Sequence, residues 1–101
     1  MLLDELWDLV MNDDSGFIVK LRLWSEFDEI KYHRIIEILS VLVSKWKGEE
    51  LIPRKLFLIT MELLQHTIGG NNYMSESELI KLENASIKIL DILSDLYHKE
   101  E

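Results

Sequence analysis

Polar residues recur at intervals of three and four along residues 26–47, and this spacing constrains the fold more than any other feature of the chain. Residues at these intervals lie on one face of an α-helix. Ser25 is a suitable N-cap, and Gly48 stands where a left-handed C-terminal cap is needed. The pattern therefore predicts a helix over 26–47 with one polar stripe. Its polar residues are Glu26, Glu29, His33, Glu37, Ser40, Ser44 and Lys47.

A second segment, residues 76–98, has the same organisation. Ser75 and Glu78 have the spacing of a capping box, in which the hydroxyl and the carboxylate bind the end amides reciprocally. Its polar stripe again recurs at threes and fours, and apolar residues fill the positions between. We therefore predict a helix over 76–98. The stripe consists of Ser77, Lys81, Asn84, Lys88, Asp91 and Asp95.

A third helix is predicted over 53–68, between Pro53 at its first position and the Gly69-Gly70 pair that stops it. Further apolar residues widen its apolar seam until little polar surface is left. Such a helix belongs in the middle of a bundle. The seam consists of Phe57, Met61, Leu64 and Ile68.

The first 24 residues contain a short amphipathic helix and an ambiguous segment. Residues 2–12 place Leu2, Leu6 and Val10 on one side, so a helix is predicted there. Residues 17–24 fit either a short helix or a strand. No other segment offers a strand to pair with, so we favour the helix and keep an intersubunit strand as the alternative.

These elements define one helical domain over residues 1–101, because a chain of this length has room for a single core. We predict an all-α fold, an antiparallel bundle of four main helices (2–12, 26–47, 53–68, 76–98) with a short fifth helix at 17–24.

Charge and cysteine content limit the classes of function. The chain has no cysteine, which excludes disulfides and thiolate sites and fits the reducing cytoplasm. Its first residues, Met1 to Glu5, are acidic rather than basic, and no apolar stretch approaches the ~20 residues needed to cross a bilayer. The net charge of −8 repels phosphate, which disfavours nucleic acid and anionic membrane surfaces as partners.

No motif indicates a metal, a cofactor or a catalytic centre. Glu29, His33 and Glu37 share a helix face, and Glu62 with His66 repeats the spacing on the next helix. Pairs at this spacing are ordinary surface contacts of a helix, and the Glu-x-x-His pairs of a di-iron bundle are missing from the sequence. We therefore predict that the protein is not an enzyme and holds no cofactor.

The acidic surplus lies at the two ends of the chain. Residues 1–16 carry five acids and no base, and residues 71–101 carry seven acids and three bases. If the first and last helices lie side by side, their outer faces form one acidic surface that suits a basic protein partner. The candidate residues are Asp4, Glu5, Asp8, Asp13, Asp14, Asp91 and Asp95.

Excess apolar surface is the second functional signal. Three helices are apolar over more than the ~100° stripe that a surface helix needs, so a second copy of the chain is a plausible cover. Two hypotheses follow: a binding protein for a basic partner, of the kind that an immunity protein or antitoxin represents, and a self-associating structural or adaptor module. The candidate interface aromatics are Trp7, Trp24, Trp46 and Tyr73.

Overall fold

The computed structural model describes residues 2–24, 26–68 and 75–97, and within them every regular element is an α-helix. The all-α prediction is confirmed, and the segment at 17–24 is a helix rather than the alternative strand. Each observed boundary lies within three residues of the predicted one. The helices are α1 (Leu2–Met11), α2 (Phe17–Trp24), α3 (Glu29–Trp46), α4 (Arg54–Thr67) and α5 (Glu76–Tyr97).

The start of α3 differs most from the prediction. The proposed N-cap, Ser25, lies outside the described residues, and the observed N-cap is Asp28, whose carboxylate accepts a hydrogen bond from the Lys31 amide at 3.0 Å. The Lys20 ammonium of α2 reaches the same carboxylate at 2.7 Å. Burial alone would raise the pKa of Asp28, but the bonds from Lys20 and Lys31 outweigh it and hold this pKa below its ordinary value. Asp28 therefore both starts α3 and fixes α2 against it.

The other predicted caps are found where the structure describes them. Gly48 has φ of 79° after α3, as a left-handed cap requires, and the Glu78 amide donates to Ser75 Oγ at 3.2 Å at the start of α5. Pro53 is the N-cap of α4 rather than its first helical residue. The Gly69-Gly70 stop lies outside the described residues.

A tight turn joins α1 to α2. The Asn12 side-chain oxygen accepts hydrogen bonds from the amides of Asp14 and Ser15 at 2.9 and 3.0 Å. Gly16 is buried in this turn, and a Cβ atom there would lie 2.6 Å from the Asn12 carbonyl oxygen and 2.8 Å from that of Val10. Only glycine lets the two helices approach this closely.

The four longer helices surround one core. In this core α1 packs against α3 and α4, and α5 packs against the same two helices from the other side. The helices α1 and α5 are thus diagonal rather than adjacent, so the condition for one acidic surface across both of them is not met. The short helix α2 packs against α1 and α4. The fully buried core side chains include Leu6, Val10, Phe17, Ile35, Leu39, Leu56, Ile59, Leu63, Leu82 and Ile89.

The burial of α4 departs from the prediction, because this helix buries one side and is not surrounded in the middle of the bundle. Its buried side consists of Leu56, Ile59, Leu63 and two threonines, whose hydroxyl groups bond to carbonyls of their own helix. Of the seam that begins at Phe57, only half-buried Leu64 packs against the core, and the other three side chains are exposed. None of the helices in the described ranges is long and apolar enough to cross a membrane.

Replacing Gly16 by alanine tests the close approach of α1 and α2. We expect Gly16→Ala to lower the free energy of unfolding by about 1–3 kcal/mol, because backbone must move to admit the new methyl group. Gly48→Ala is the control, since no atom lies within 4 Å of its Cβ position and only its positive φ is strained. Urea unfolding measures both. Equal stability of Gly16→Ala and the wild type would contradict the turn geometry.

Substitutions of Asp28 separate its capping role from its ion pair. Asp28→Ala removes both and should cost about 1–2 kcal/mol, whereas Asp28→Asn keeps a good cap and loses only the charge. The pKa of Asp28 is lowered by folding, so its charge stabilises above the ordinary carboxyl pKa of about 4 and that contribution is lost as pH falls through the lowered value.

The stability difference between wild type and Asp28→Asn should therefore shrink on acidification from pH 7 to below pH 4 in a urea titration. Asp13→Asn, in the exposed turn after α1, is the matched control. A wild-type advantage over Asp28→Asn that stays constant with pH would exclude the ion pair as its source.

Candidate protein-interaction surface

The acidic residues of α1 are largely engaged within the molecule. Both carboxylate oxygens of Glu5 accept bonds from the Arg34 guanidinium of α3, from Nε at 2.6 Å and from Nη2 at 3.0 Å. This bidentate hydrogen bonding is the main cause that lowers the pKa of Glu5. Asp4 pairs with Lys55 of α4 at 3.4 Å. These pairs hold α1 between α3 and α4, so two of the predicted partner-binding acids have structural partners.

The remaining candidate acids are exposed but lie in separate places. Asp8 accepts a hydrogen bond from the Asn12 side chain at 3.1 Å, and Asp13 and Asp14 lie in the turn before α2. Asp91 and Asp95 are exposed near the end of α5, on the helix diagonal to α1. The structure thus divides the predicted acids into two groups, one on α1 and its turn and one on α5.

The candidate aromatics are placed differently from one another. Trp7 and Trp46 are half-buried and pack against the core, with the ammonium groups of Lys55 and Lys45 lying 5.6 and 5.7 Å from their ring centres. Trp24 is 71% exposed at the end of α2. Tyr73 lies outside the described residues. Of the three tryptophans, only Trp24 presents most of its surface to solvent.

A small pocket lies between α3 and α5. Lys81 closes one side through a 3.1 Å ion pair with Glu29, which raises the pKa of Lys81 through the hydrogen bond between them. The volume is about 150 Å³, against the ~300 Å³ or more of ordinary ligand pockets, so it is too small for a cofactor. The lining residues are Phe27, Glu29, Tyr32, His33, Lys81, Asn84 and Ala85.

The residues considered for metal binding make other contacts. Glu29 pairs with Lys81, Glu37 pairs with Arg34, and the His33 ring lies against Tyr32 with centroids 5.6 Å apart. His66 and Glu62 form an i,i+4 contact at 3.3 Å on α4. Within the part of the chain that the structure describes, no three side chains converge as metal ligands.

The largest concentration of exposed apolar side chains lies on α4 and α5. On α4 the row lies to one side of the buried Leu56–Leu63 stripe, opposite the side on which Lys55 reaches Asp4 of α1. Because α4 packs between α1 and α5, this row flanks the contact with α5. The α4 row consists of Phe57, Met61, Leu64 and Ile68.

A matching row lies on α5. Lys81 reaches Glu29 of α3 on one side of the buried stripe of α5, and the exposed apolar residues lie on the other side, toward α4. Together the two rows form what we call the α4–α5 apolar face. Except for half-buried Leu64, its side chains are between 36% and 60% exposed. The α5 row consists of Leu79, Ile80, Ile87 and Leu90.

Acidic residues lie within and beside this face along α5. Glu83 lies between Leu79 and Leu90 on the same helix stripe, since it is four residues from one and seven from the other. Asp91 continues the stripe of Ile87 at a spacing of four. We call Glu76, Glu83 and Asp91 the acidic rim; all three are exposed. Asp95 lies seven residues after Lys88, so it belongs to the side of α5 that carries Lys81. The α4 row carries one base, Arg54, three residues before Phe57.

Sequence reasoning found the residues of this face but assigned part of them to the core. Phe57, Met61 and Ile68 have helical spacing, and so do the buried Leu56, Ile59 and Leu63, so periodicity alone does not say which row faces inward. The threonines at 60 and 67 made the buried row look more polar than its neighbour. Their hydroxyl groups are satisfied by helix carbonyls at 2.7 Å, so their burial carries no penalty.

Comparison with known proteins adds no further assignment. No protein-family model matches this chain, and neither a curated protein nor a solved structure is significantly similar to it. Two features characterise the described residues: a bundle of five α-helices and the α4–α5 apolar face.

Paired substitutions distinguish this face from the core beside it. Met61→Gln and Ile87→Gln should change the free energy of unfolding by less than about 0.5 kcal/mol, because both side chains are already largely hydrated. Leu63 and Ile89, each two residues away, are fully buried. Leu63→Gln and Ile89→Gln should lower the free energy of unfolding by about 3–5 kcal/mol, because apolar burial is lost and the new amide has no hydrogen-bond partner. Urea unfolding followed by circular dichroism measures all four. A large loss in either exposed variant would show that the face is covered in the monomer.

Proposed function

We propose that this chain is a small acidic binding protein of the cytoplasm that captures a basic protein partner and blocks its surface. Immunity proteins and antitoxins act in this way. The observation that carries the proposal is the α4–α5 apolar face with its acidic rim. The proposed mechanism has no catalytic step, because the protein acts by occupying its partner.

The apolar rows supply the affinity in this proposal. Contiguous exposed apolar surface on a small protein marks an interaction site more often than isolated exposed residues do. Phe57 and Met61 are residue types that are enriched at interfaces, where they fill pockets of the partner. The other exposed apolar side chains are dispersed over α1, α2, α3, the loop before α4 and, at Leu58, another side of α4, so they support no comparable surface.

The acidic residues raise the association rate and select for a basic partner in this proposal. A net charge of −8 attracts a basic partner from a distance, and the acidic rim orients it over the apolar face. Asp91, one of the sequence-predicted acids, belongs to this rim. Asp13 and Asp14 contribute to the overall field, whereas the ion pairs of Asp4 and Glu5 with Lys55 and Arg34 offset their charge locally.

Self-association is the second candidate function, because the same apolar face suits a second copy of the chain. In that case the module is a homodimer with a structural or adaptor role. Light scattering on the eluate of a size-exclusion column separates the two candidates. A monomeric binding protein should have a mass near 12.0 kDa, and a dimer should have twice that mass. The net charge favours the first candidate, since two copies that each carry −8 repel one another.

Affinity retention with face variants tests the proposed function. Immobilised wild-type protein should retain a basic protein from a native lysate, and Met61→Glu/Ile87→Glu should lose it. This double variant adds negative charge, so a loss cannot come from weaker attraction of a basic partner. Ile30→Glu is the control, since Ile30 is 85% exposed on α3 and lies outside the face.

We expect the retained protein to survive the Ile30→Glu control and to associate more slowly as salt is raised. Retention that is equal in the wild type and the face variant would place binding elsewhere. An acidic partner, or an association rate that does not change with salt, would exclude the electrostatic mechanism.

A further inference from the structure

The α4–α5 apolar face is long enough to accommodate three turns of a helix. Its α4 row runs from Phe57 to Ile68 and its α5 row from Leu79 to Leu90, so each spans eleven residue steps. At ~1.5 Å per residue both rows are about 17 Å long, which is three helical turns. Two packed helices with parallel apolar rows present a shallow channel between them, and a third helix fits such a channel by ridge-into-groove packing.

The backbone around the face favours a helix over an extended strand as the occupant. The backbone amides and carbonyls of α4 and α5 are bonded along their own helices, so the face offers no strand edge to a peptide. An extended segment would leave its own backbone groups without partners against these apolar side chains. A helix satisfies its backbone internally and brings only side chains to the contact.

Charge decides which helix fits. The acidic rim residues Glu76, Glu83 and Asp91 follow one another at seven and eight residues, so one lies on nearly every second turn along the α5 side. Arg54 is the basic residue of the α4 row. A complementary helix therefore carries basic residues along the flank that meets α5 and tolerates an acid near Arg54.

The same charges disfavour the other occupants. A second copy would bring its own Glu83 and Asp91 toward equal charges, and a bilayer surface rich in anionic lipid would be repelled by the rim. We infer that the α4–α5 apolar face binds an amphipathic helix of a partner protein, with an apolar seam in the channel and lysine or arginine along the flank facing α5. This inference rests on the proposed function and adds the chemistry of its partner.

Selection from a displayed library of helical peptides tests the inference. The library fixes leucine at positions i, i+4, i+7 and i+11 and varies the flanking positions among lysine, glutamine and glutamate. Selection on the wild type, with counter-selection on Met61→Glu/Ile87→Glu, should enrich lysine on one flank. The enriched peptide should bind at least tenfold more tightly than the same peptide with glutamate in place of lysine.

Two charge-swap variants of equal net charge locate the recognition. Glu83→Lys/Asp91→Lys should reverse the preference between the lysine and glutamate peptides, as measured by fluorescence anisotropy. Asp13→Lys/Asp14→Lys changes the charge by the same amount in the turn before α2 and should weaken both preferences without reversing them. Leucine-to-serine peptides should fail to bind either variant.

The outcomes separate this inference from the proposed function. Failure to enrich any helical peptide, or enrichment of glutamate flanks, would overturn the helix-binding inference. The lysate experiment would then still report whether the protein binds a basic partner by this face. An equal effect of the two charge swaps would show that net charge, rather than the acidic rim, selects the partner, and would overturn the assignment of the flank. Elution of the protein as a dimer through this face would overturn the inference in favour of a second copy.

Discussion

In a bundle with one core, each helix can bury only one side. This constraint determines which surfaces of the molecule remain exposed to solvent. The helices α4 and α5 carry apolar side chains over much more than one side. Because α1 occupies the position between α3 and α4, and α2 covers α1 and α4, the outer channel between α4 and α5 keeps no cover in the described residues. The exposed face is thus a direct consequence of helix number and order.

The position of α1 depends in turn on a few ion pairs. Glu5 binds Arg34 of α3 in a bidentate geometry, and Asp4 reaches Lys55 of α4, so the first helix is oriented by charge as well as by buried Leu6 and Val10. Exposed pairs of this kind contribute little to stability. They add specific contacts between α1 and its two neighbours, and the core supplies most of the stability. Asp4 and Glu5, which the sequence suggested for partner binding, therefore make contacts within the molecule.

Sequence periodicity predicted the number, type and span of the helices well, because amphipathic spacing and caps such as Gly48 and Ser75 are local signals. It misplaced the start of α3, since Asp28 gains from a contact with Lys20 that lies eight residues earlier and that only the fold creates. It placed α4 in the middle of the bundle, because periodicity does not show which of two adjacent apolar rows remains exposed. The sequence left open whether α1 and α5 are neighbours, since helix order around a core is a property of long-range packing. One acid of the rim, Asp91, was identified, but its apolar neighbours were not recognised as exposed.

An exposed apolar face also favours self-association, and the net charge of the chain opposes it. Self-association would bring two molecules of −8 together and set acidic rim residues against each other, whereas a basic helix would neutralise the same groups. At physiological salt, screening limits this repulsion to about 8 Å. Its largest effect is therefore on charges within the contact itself, such as Glu83 and Asp91. These acids therefore have two consequences at one location: they oppose the pairing of identical faces, and they favour a partner of opposite charge. A purely solubilising charge would be spread over the surface, whereas here acids are interleaved with the apolar residues that a partner would cover.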